Sequence, residues 1–175
     1  FNANDAAHGK DSYNEQLHVW RLGSKQMLEF GSVQYDQDLK KYQGQPHDYL
    51  GIDEATEFSE KIVRFLMGWN RTTVPEQACK LVLTFNPPMD ESGSWVIPFF
   101  APWLEDGYAD PDADGELRYV ARIDDQDVFF RDPMDAPEAA RQHLKTRTFF
   151  HASLKDNPAL ASTGYGATIE ALPEP

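Results

Sequence analysis

The sequence predicts an α/β fold preceded by an antiparallel hairpin, and three observations point there. A short apolar run at 49–52, a helical apolar face from 58 to 69 and a second apolar run at 81–85 follow one another as strand, helix, strand. That order requires a crossover and so a parallel strand pair. Ahead of it, two short alternating runs flank a glycine, the signature of a hairpin. The length of 175 residues fits one domain with enough chain to bury a sizeable core.

The first sixteen residues are polar and weakly patterned. His18-Val19-Trp20-Arg21-Leu22 alternates, Gly23-Ser24 turns, and Met27-Leu28-Glu29-Phe30 forms the second arm, ended by Gly31-Ser32. Residues 36–47 read as a polar loop punctuated by Gly44 and Pro46. Tyr49-Leu50-Gly51-Ile52 reads as a buried strand with Asp53 and Glu54 at its C-terminal tip. Phe58, Ile62, Phe65, Leu66 and Trp69 then share one helical face, with Thr56 and Ser59 both placed to cap its start. A loop covers Asn70 to Pro75, and Leu81–Phe85 is a buried strand stopped by Asn86-Pro87-Pro88. Ser94 to Leu104 reads as a helix interrupted at Pro98 and ended near Pro102. Leu117–Ile123 and Val128–Phe130 pair as strands across Asp124-Asp125. Ala136–Thr146 is helical with Pro137 in its first turn, Thr148–Ala152 is a strand, and the tail from Ala161 is small and polar.

Composition narrows the function classes. Apolar residues make up 41% of the chain, too many for a disordered segment. No apolar run approaches the roughly 20 residues of a membrane-spanning helix. A single cysteine, Cys79, excludes an internal disulfide framework, so a reduced intracellular setting is the default; packing as a small apolar side chain is its simplest role. The formal net charge is -13, from 16 Lys+Arg against 29 Asp+Glu. Residues 105–138 hold 12 acids and 3 bases, a net of -9, leaving 17 acids and 13 bases elsewhere. The acidity is therefore one local surface, which argues against broad basic-patch binding of nucleic acid there.

Asp53-Glu54 carries the strongest chemical signal. Open α/β sheets bind ligands at the C-terminal ends of their strands. In nucleotide hydrolases a first carboxylate at that place holds Mg²⁺ and a second polarises the attacking water. Side chains of adjacent residues point to opposite faces of an ideal strand, so a shared site requires a turn of the backbone at the tip. The alternative is an acidic helix entrance. Thr84 and Asn86 share one face of the neighbouring strand and stand in reach of the same rim; the alternative there is a plain Asn-Pro turn.

Taken in order, Gly23-Ser24, Phe30-Gly31-Ser32, Tyr42-Gln43-Gly44, Ile52-Asp53-Glu54-Ala55-Thr56-Glu57-Phe58 and Leu83-Thr84-Phe85-Asn86-Pro87-Pro88 resemble the large terminase subunit of tailed bacteriophages, the ATPase motor that packages DNA into procapsids. Arg147-Thr148-Phe149-Phe150-His151-Ala152-Ser153-Leu154-Lys155-Asp156-Asn157-Pro158 is similar to the segment that closes the family's ATPase domain. The resemblance runs from about Val19 to Leu160. It implies a P-loop NTPase-like sheet of the ASCE type, mainly parallel and flanked by helices, and ATP with Mg²⁺ as ligands. It makes Asp53 the metal-holding Walker B carboxylate and Glu54 the catalytic one. Thr84 and Asn86 fall on the family's coupling motif, which senses the γ-phosphate. Partners implied through the intact protein are double-stranded viral DNA, the portal protein and the small terminase subunit, in the cytoplasm of a bacterial host and with no membrane role.

Two features of the family are missing. No G-x-x-x-x-G-K-S/T phosphate loop occurs, since Gly9-Lys10-Asp11 lacks the first glycine and the hydroxyl, and no RNase-H-like nuclease domain follows. The chain opens on Phe1-Asn2-Ala3. The expectation is an incomplete ATPase domain over 1–160 with a flexible tail over 161–175, inactive by itself. An upstream strand would lie beside the one ending at Asp53; without it an apolar sheet edge is expected, open to self-association. The alternative is a terminase-like interaction module whose acidic surface at 105–138 meets a basic protein partner; a metal-dependent nuclease is a third reading.

Other signals stay open between chemistry and structure. Asp110-Pro111-Asp112-Ala113-Asp114-Gly115-Glu116 matches the start of a Ca²⁺ loop, but its twelfth position falls on Ala121, and a solvated acidic turn is the alternative. Arg64, Arg71 and Arg147 are candidates for a trans-acting arginine finger or for structural ion pairs. Trp69, Trp95 and Trp103 lie on helical patterns that imply core packing. The five histidines show no metal-ligand spacing.

Overall fold

The computed structural model describes residues 13–22, 26–153, 156–161 and 163–164. It divides into two compact units, Phe1–Pro46 and His47–Pro175. The architecture is mixed α/β, with two small antiparallel sheets and one parallel strand pair.

The first unit holds the expected hairpin. β2 (Val19–Leu22) pairs antiparallel with β3 (Gln26–Glu29), and a two-residue strand β1 (Tyr13–Asn14) joins the other edge of β2. β1 falls in the stretch read as unpatterned; Tyr13 earns its place by packing on Trp20 across the ladder, with ring centroids 5.1 Å apart. The hairpin turn at 23–25 lies outside the described residues. The stretch expected as a loop contains a 3₁₀ helix, Asp36–Tyr42. Asp38 closes its entrance by accepting from the backbone N–H groups of Gln34 and Tyr35, each at 3.0 Å.

The second unit is built on the strand–helix–strand unit. β4 (Tyr49–Ile52) and β5 (Lys80–Leu83) run parallel, Leu50 opposite Leu81 and Ile52 opposite Leu83. α1 (Glu60–Met67) crosses between them. Ser59 is its N-cap, accepting from Ile62 N–H, while Thr56 is turned inward and 9% exposed. The strands are buried on one face only. Leu50, Ile52, Leu81 and Leu83 join the core, whereas Tyr49 (55% exposed) and Val82 (40% exposed) stand in the open. Strands of parallel sheets are normally covered on both faces. Here no described element covers the second, so the expectation of fully buried strands holds for alternate residues alone.

The aromatic run folds as two short helices, α2 (Val96–Phe99) and α3 (Ala101–Leu104). The break falls at Phe100, not at Pro98, and Pro102 opens α3 rather than ending it. Proline is tolerated in a helix's first turn, where its missing N–H costs nothing, and both prolines use that allowance. Trp95, Phe99, Phe100 and Trp103 form the centre of the core with Ile52, Ala55, Val63 and Val96.

β6 (Arg118–Ile123) and β7 (Gln126–Phe130) form the expected hairpin. Its two turn residues, Asp124 (φ 48°) and Asp125 (φ 60°), both adopt left-handed backbone, the primed-turn geometry that matches strand twist. Beyond it the expectation fails. The helix placed over Ala136–Thr146 shrinks to α4 (Glu138–Arg141), and Lys145–Arg147 is β8, antiparallel to the other edge of β6. Pairing β8 with β6 seats Arg147 in the core, a tertiary gain that outweighs helix propensity. Thr148–Ala152 is irregular, not a strand, although Phe149 packs into the core. A last turn, α5, covers Pro158–Ala161. The sheet is thus not mainly parallel: among the described residues β4–β5 is the one parallel ladder between named strands.

Candidate functional site

The four residues singled out at the strand tips do converge. Directly after β4 the chain turns through Glu54, whose backbone is left-handed (φ 51°, ψ 50°). A left-handed non-glycine residue costs of order 1 kcal/mol or more and persists only where its surroundings hold it. Those surroundings are visible: Ala55 N–H donates to the Thr84 carbonyl at 2.9 Å and Thr84 N–H to the Ile52 carbonyl at 3.0 Å. This is the backbone turn that two neighbouring carboxylates need to serve one place. Asp53 and Glu54 are both exposed.

Each carboxylate has its own partner on the strand opposite. Thr84 Oγ1 donates to Asp53 Oδ1 at 2.5 Å. Asn86 Nδ2 donates to Glu54 Oε2 at 3.2 Å. Thr84 and Asn86 are two residues apart, so they face the same way and meet two successive carboxylates. Both therefore hold carboxylates rather than standing free toward a phosphate. Thr56 Oγ1 makes a long hydrogen bond, 3.5 Å, to the Asn86 carbonyl and ties the two arms from behind.

The donor set fits Mg²⁺ of the kind that keeps most of its water. That ion uses one or two carboxylates and completes its shell with water and phosphate oxygens, and Asp53 beside Glu54 at an exposed rim supplies that number. Among the described residues no cluster of three or more His, Cys, Asp or Glu could hold a metal by itself. For ATP the fit is partial, because the sequence contains no phosphate-binding loop.

Part of the acidic stretch is paired within the chain. Arg118, 3% exposed, donates to Asp112 at 2.5 Å and to Asp110 at 2.9 Å. Arg131 forks onto Asp110 at 2.6 and 2.8 Å. Those contacts, the Arg131 hydrogen bonds foremost, draw the Asp110 carboxyl down to about 2. Asp114 receives His151 through the ring Nδ1 (2.6 Å) and the backbone N–H (2.9 Å). The Ca²⁺-loop pattern thus folds as an arginine clamp: Asp110 and Asp112 are turned to Arg118 and Arg131, Asp114 to His151, and Glu116 accepts from the Ala113 N–H at 2.8 Å.

Of the three arginine-finger candidates, two are structural. Arg147 stacks over the Phe99 ring at 3.5 Å and donates to Asp127 at 3.0 Å. Arg64 donates to the same Asp127 oxygen at 3.1 Å and to Glu60 at 2.6 Å. Burial pushes the Arg147 guanidinium down to about 10, while Asp127 opposes the shift. Arg71 is exposed and lies over Trp69, 4.6 Å from the ring centroid. Trp95 and Trp103 are core residues, and Cys79 is half-buried. Asp127 and Arg118 were not singled out from the sequence. Each is a charged residue at the start of a strand rich in apolar residues, where only a partner makes burial tolerable.

A shallow cavity of about 430 Å³ in the first unit is lined by residues including His18, Phe30, Lys41 and Tyr42, and it contains none of the four rim residues. No family model matches the chain, and neither a curated protein nor a solved structure does. Among the described residues no helix is long and apolar enough to cross a membrane.

Proposed function

We propose that the chain supplies the water-activating half of an ATPase motor of the phage terminase large-subunit type, a P-loop NTPase-like machine that couples ATP hydrolysis to packaging of double-stranded viral DNA into procapsids in a bacterial host. The observation that carries the reading is the convergence of Asp53, Glu54, Thr84 and Asn86 at the C-terminal ends of one parallel strand pair. The motif order along the sequence supports it.

In this reading Glu54 orients a water molecule and accepts its proton. Asn86 fixes the Glu54 carboxylate through the Oε2 atom, leaving the other oxygen to face the water. Asp53 would hold Mg²⁺, and Thr84 fixes the Asp53 rotamer. When bound, the ion would supply charge neutralisation on the phosphates. Contacts with DNA, the portal protein and the small terminase subunit belong to the intact protein. Without a phosphate cradle in its sequence, the chain alone is expected not to hydrolyse ATP at a significant rate.

Manganese broadening tests the rim directly. Mn²⁺ added to the ¹⁵N-labelled chain is expected to broaden resonances of residues 53–55 and 84–86 first, and Asp53→Asn is expected to abolish that preference. Broadening centred elsewhere, or unaffected by Asp53→Asn, would remove the metal-holding role.

A further inference from the structure

The turn after Asn86-Pro87-Pro88 is folded tightly on itself. Asp90 Oδ1 accepts from Ser92 N–H at 2.8 Å, Ser92 Oγ at 2.6 Å and Gly93 N–H at 3.3 Å, and Ser94 Oγ donates to the Asp90 carbonyl at 3.0 Å. This brings the Gly93 backbone against both arms of the rim. A Cβ at Gly93 would lie 2.8 Å from the Thr56 carbonyl oxygen, 3.0 Å from Thr56 Cβ and 3.2 Å from Pro88 Cβ. Thr56 stands two residues beyond Glu54, and Pro88 two residues beyond Asn86. The closest obstacle is backbone, which cannot swing aside as the end of a long side chain can.

The turn cannot retreat either. Two residues after Gly93, Trp95 is 8% exposed in the core and its Nε1 donates to the Phe58 carbonyl at 2.8 Å. Any side chain at position 93 must therefore push the Thr56 arm, the Pro88 arm or both. We infer that Gly93, seated by Asp90, is the positioning residue of the Glu54–Asn86 pair: its missing side chain lets the two arms close until the Asn86 amide reaches the Glu54 carboxylate. That the contact serves catalysis rests on the reading above; the contact and its dependence on Gly93 do not.

The test reads the Asn86 side-chain amide in the ¹⁵N-labelled chain, with Glu54→Ala as the reference for a broken contact. Gly93→Ala is expected to move the Asn86 Nδ2 resonances at least half of the way to their Glu54→Ala positions. Gly51→Ala, whose added Cβ would meet only the Tyr49 ring at 3.6 Å, is expected to leave them within a linewidth. Asp90→Ala is expected to move them in the same direction as Gly93→Ala. Asp90→Asn, which keeps an acceptor oxygen for the turn, is expected to restore them. Should Gly93→Ala fail to fold, the Asp90→Ala and Asp90→Asn pair decides alone. Unmoved Asn86 resonances in folded Gly93→Ala, or in Asp90→Ala, would overturn the inference. No nucleotide or metal enters this experiment, so its failure leaves the ATPase reading standing, and the failure of that reading leaves this one.

Discussion

Replacing Asp127 by alanine should be among the most damaging single changes to the second unit. The Asp127 side chain is 7% exposed and is shared by Arg64 at 3.1 Å, Arg147 at 3.0 Å and Arg122 at 3.2 Å. It joins α1, β6, β7 and β8 in one ion-pair hub. Burial disfavours its charged form, but the guanidiniums of Arg64 and Arg147 outweigh that and hold its carboxyl below the usual range. Removing one partner of a buried pair costs about 3–5 kcal/mol, because the other charge stays buried and uncompensated. Arg147 is that stranded charge, its side chain 11% exposed. It would keep the Phe99 carbonyl and the aromatic face, which places the expected loss near the lower end, about 3 kcal/mol. With a urea slope of roughly 1–3 kcal/mol/M, the midpoint should fall by about 1–3 M. Fluorescence of the buried Trp95 and Trp103 reports the transition. A double variant, Asp127→Leu with Arg147→Met, should recover part of the loss, since well-packed apolar groups can replace a buried pair. A loss below about 1 kcal/mol for Asp127→Ala would refute the hub.

Two further outcomes follow from the same geometry. Asp110, Asp114 and Asp127 all have carboxyls drawn below the ordinary value, by Arg131, by His151 and by the Arg64–Arg147 pair respectively. A depressed folded-state pKa contributes stability that is full above the unfolded value and is lost as pH falls through the folded one. The urea midpoint should therefore hold steady down to about pH 5 and then fall between about pH 4 and pH 2; a midpoint unchanged at pH 2.5 would contradict the clamp. Changing Asp124-Asp125 to Asn-Gly should raise stability by about 0.5–1 kcal/mol in thermal denaturation, because both positions are left-handed and those residues accept that backbone more readily. A loss of stability would mean that the turn aspartates make a contact worth more than the strain.

What the sequence revealed, and what it hid, divides along physical lines. The β4–α1–β5 unit was legible because period, turn residues and burial agree over residues 49–85. The rim was legible in part: parallel strands in register place Asp53 opposite Thr84, but the Glu54–Asn86 contact also depends on the left-handed turn at Glu54, which no sequence pattern announces. The exchange of a helix for β8 over Lys145–Arg147 was not legible. It is decided by Arg147 reaching Asp127 and the Phe99 ring, contacts made between residues 20 and 48 positions apart. The mainly parallel sheet was also an overreach, since it came from family resemblance and not from patterning: the strands after residue 105 pair antiparallel. The role of Gly93 was hidden because a glycine in a polar turn reads as punctuation until the backbone it presses against is known.

On the proposed reading, ATP turnover by an intact terminase-type motor containing this chain, compared with its Glu54→Gln variant, bears most directly on the function. Loss of a positioned general base is worth about 10²–10⁴-fold in rate. The expected result is a fall in kcat of at least about 100-fold with ATP binding retained, since glutamine preserves the shape of Glu54 and its contact with Asn86 but cannot take a proton. Turnover within a few-fold of the unmodified protein would contradict the account.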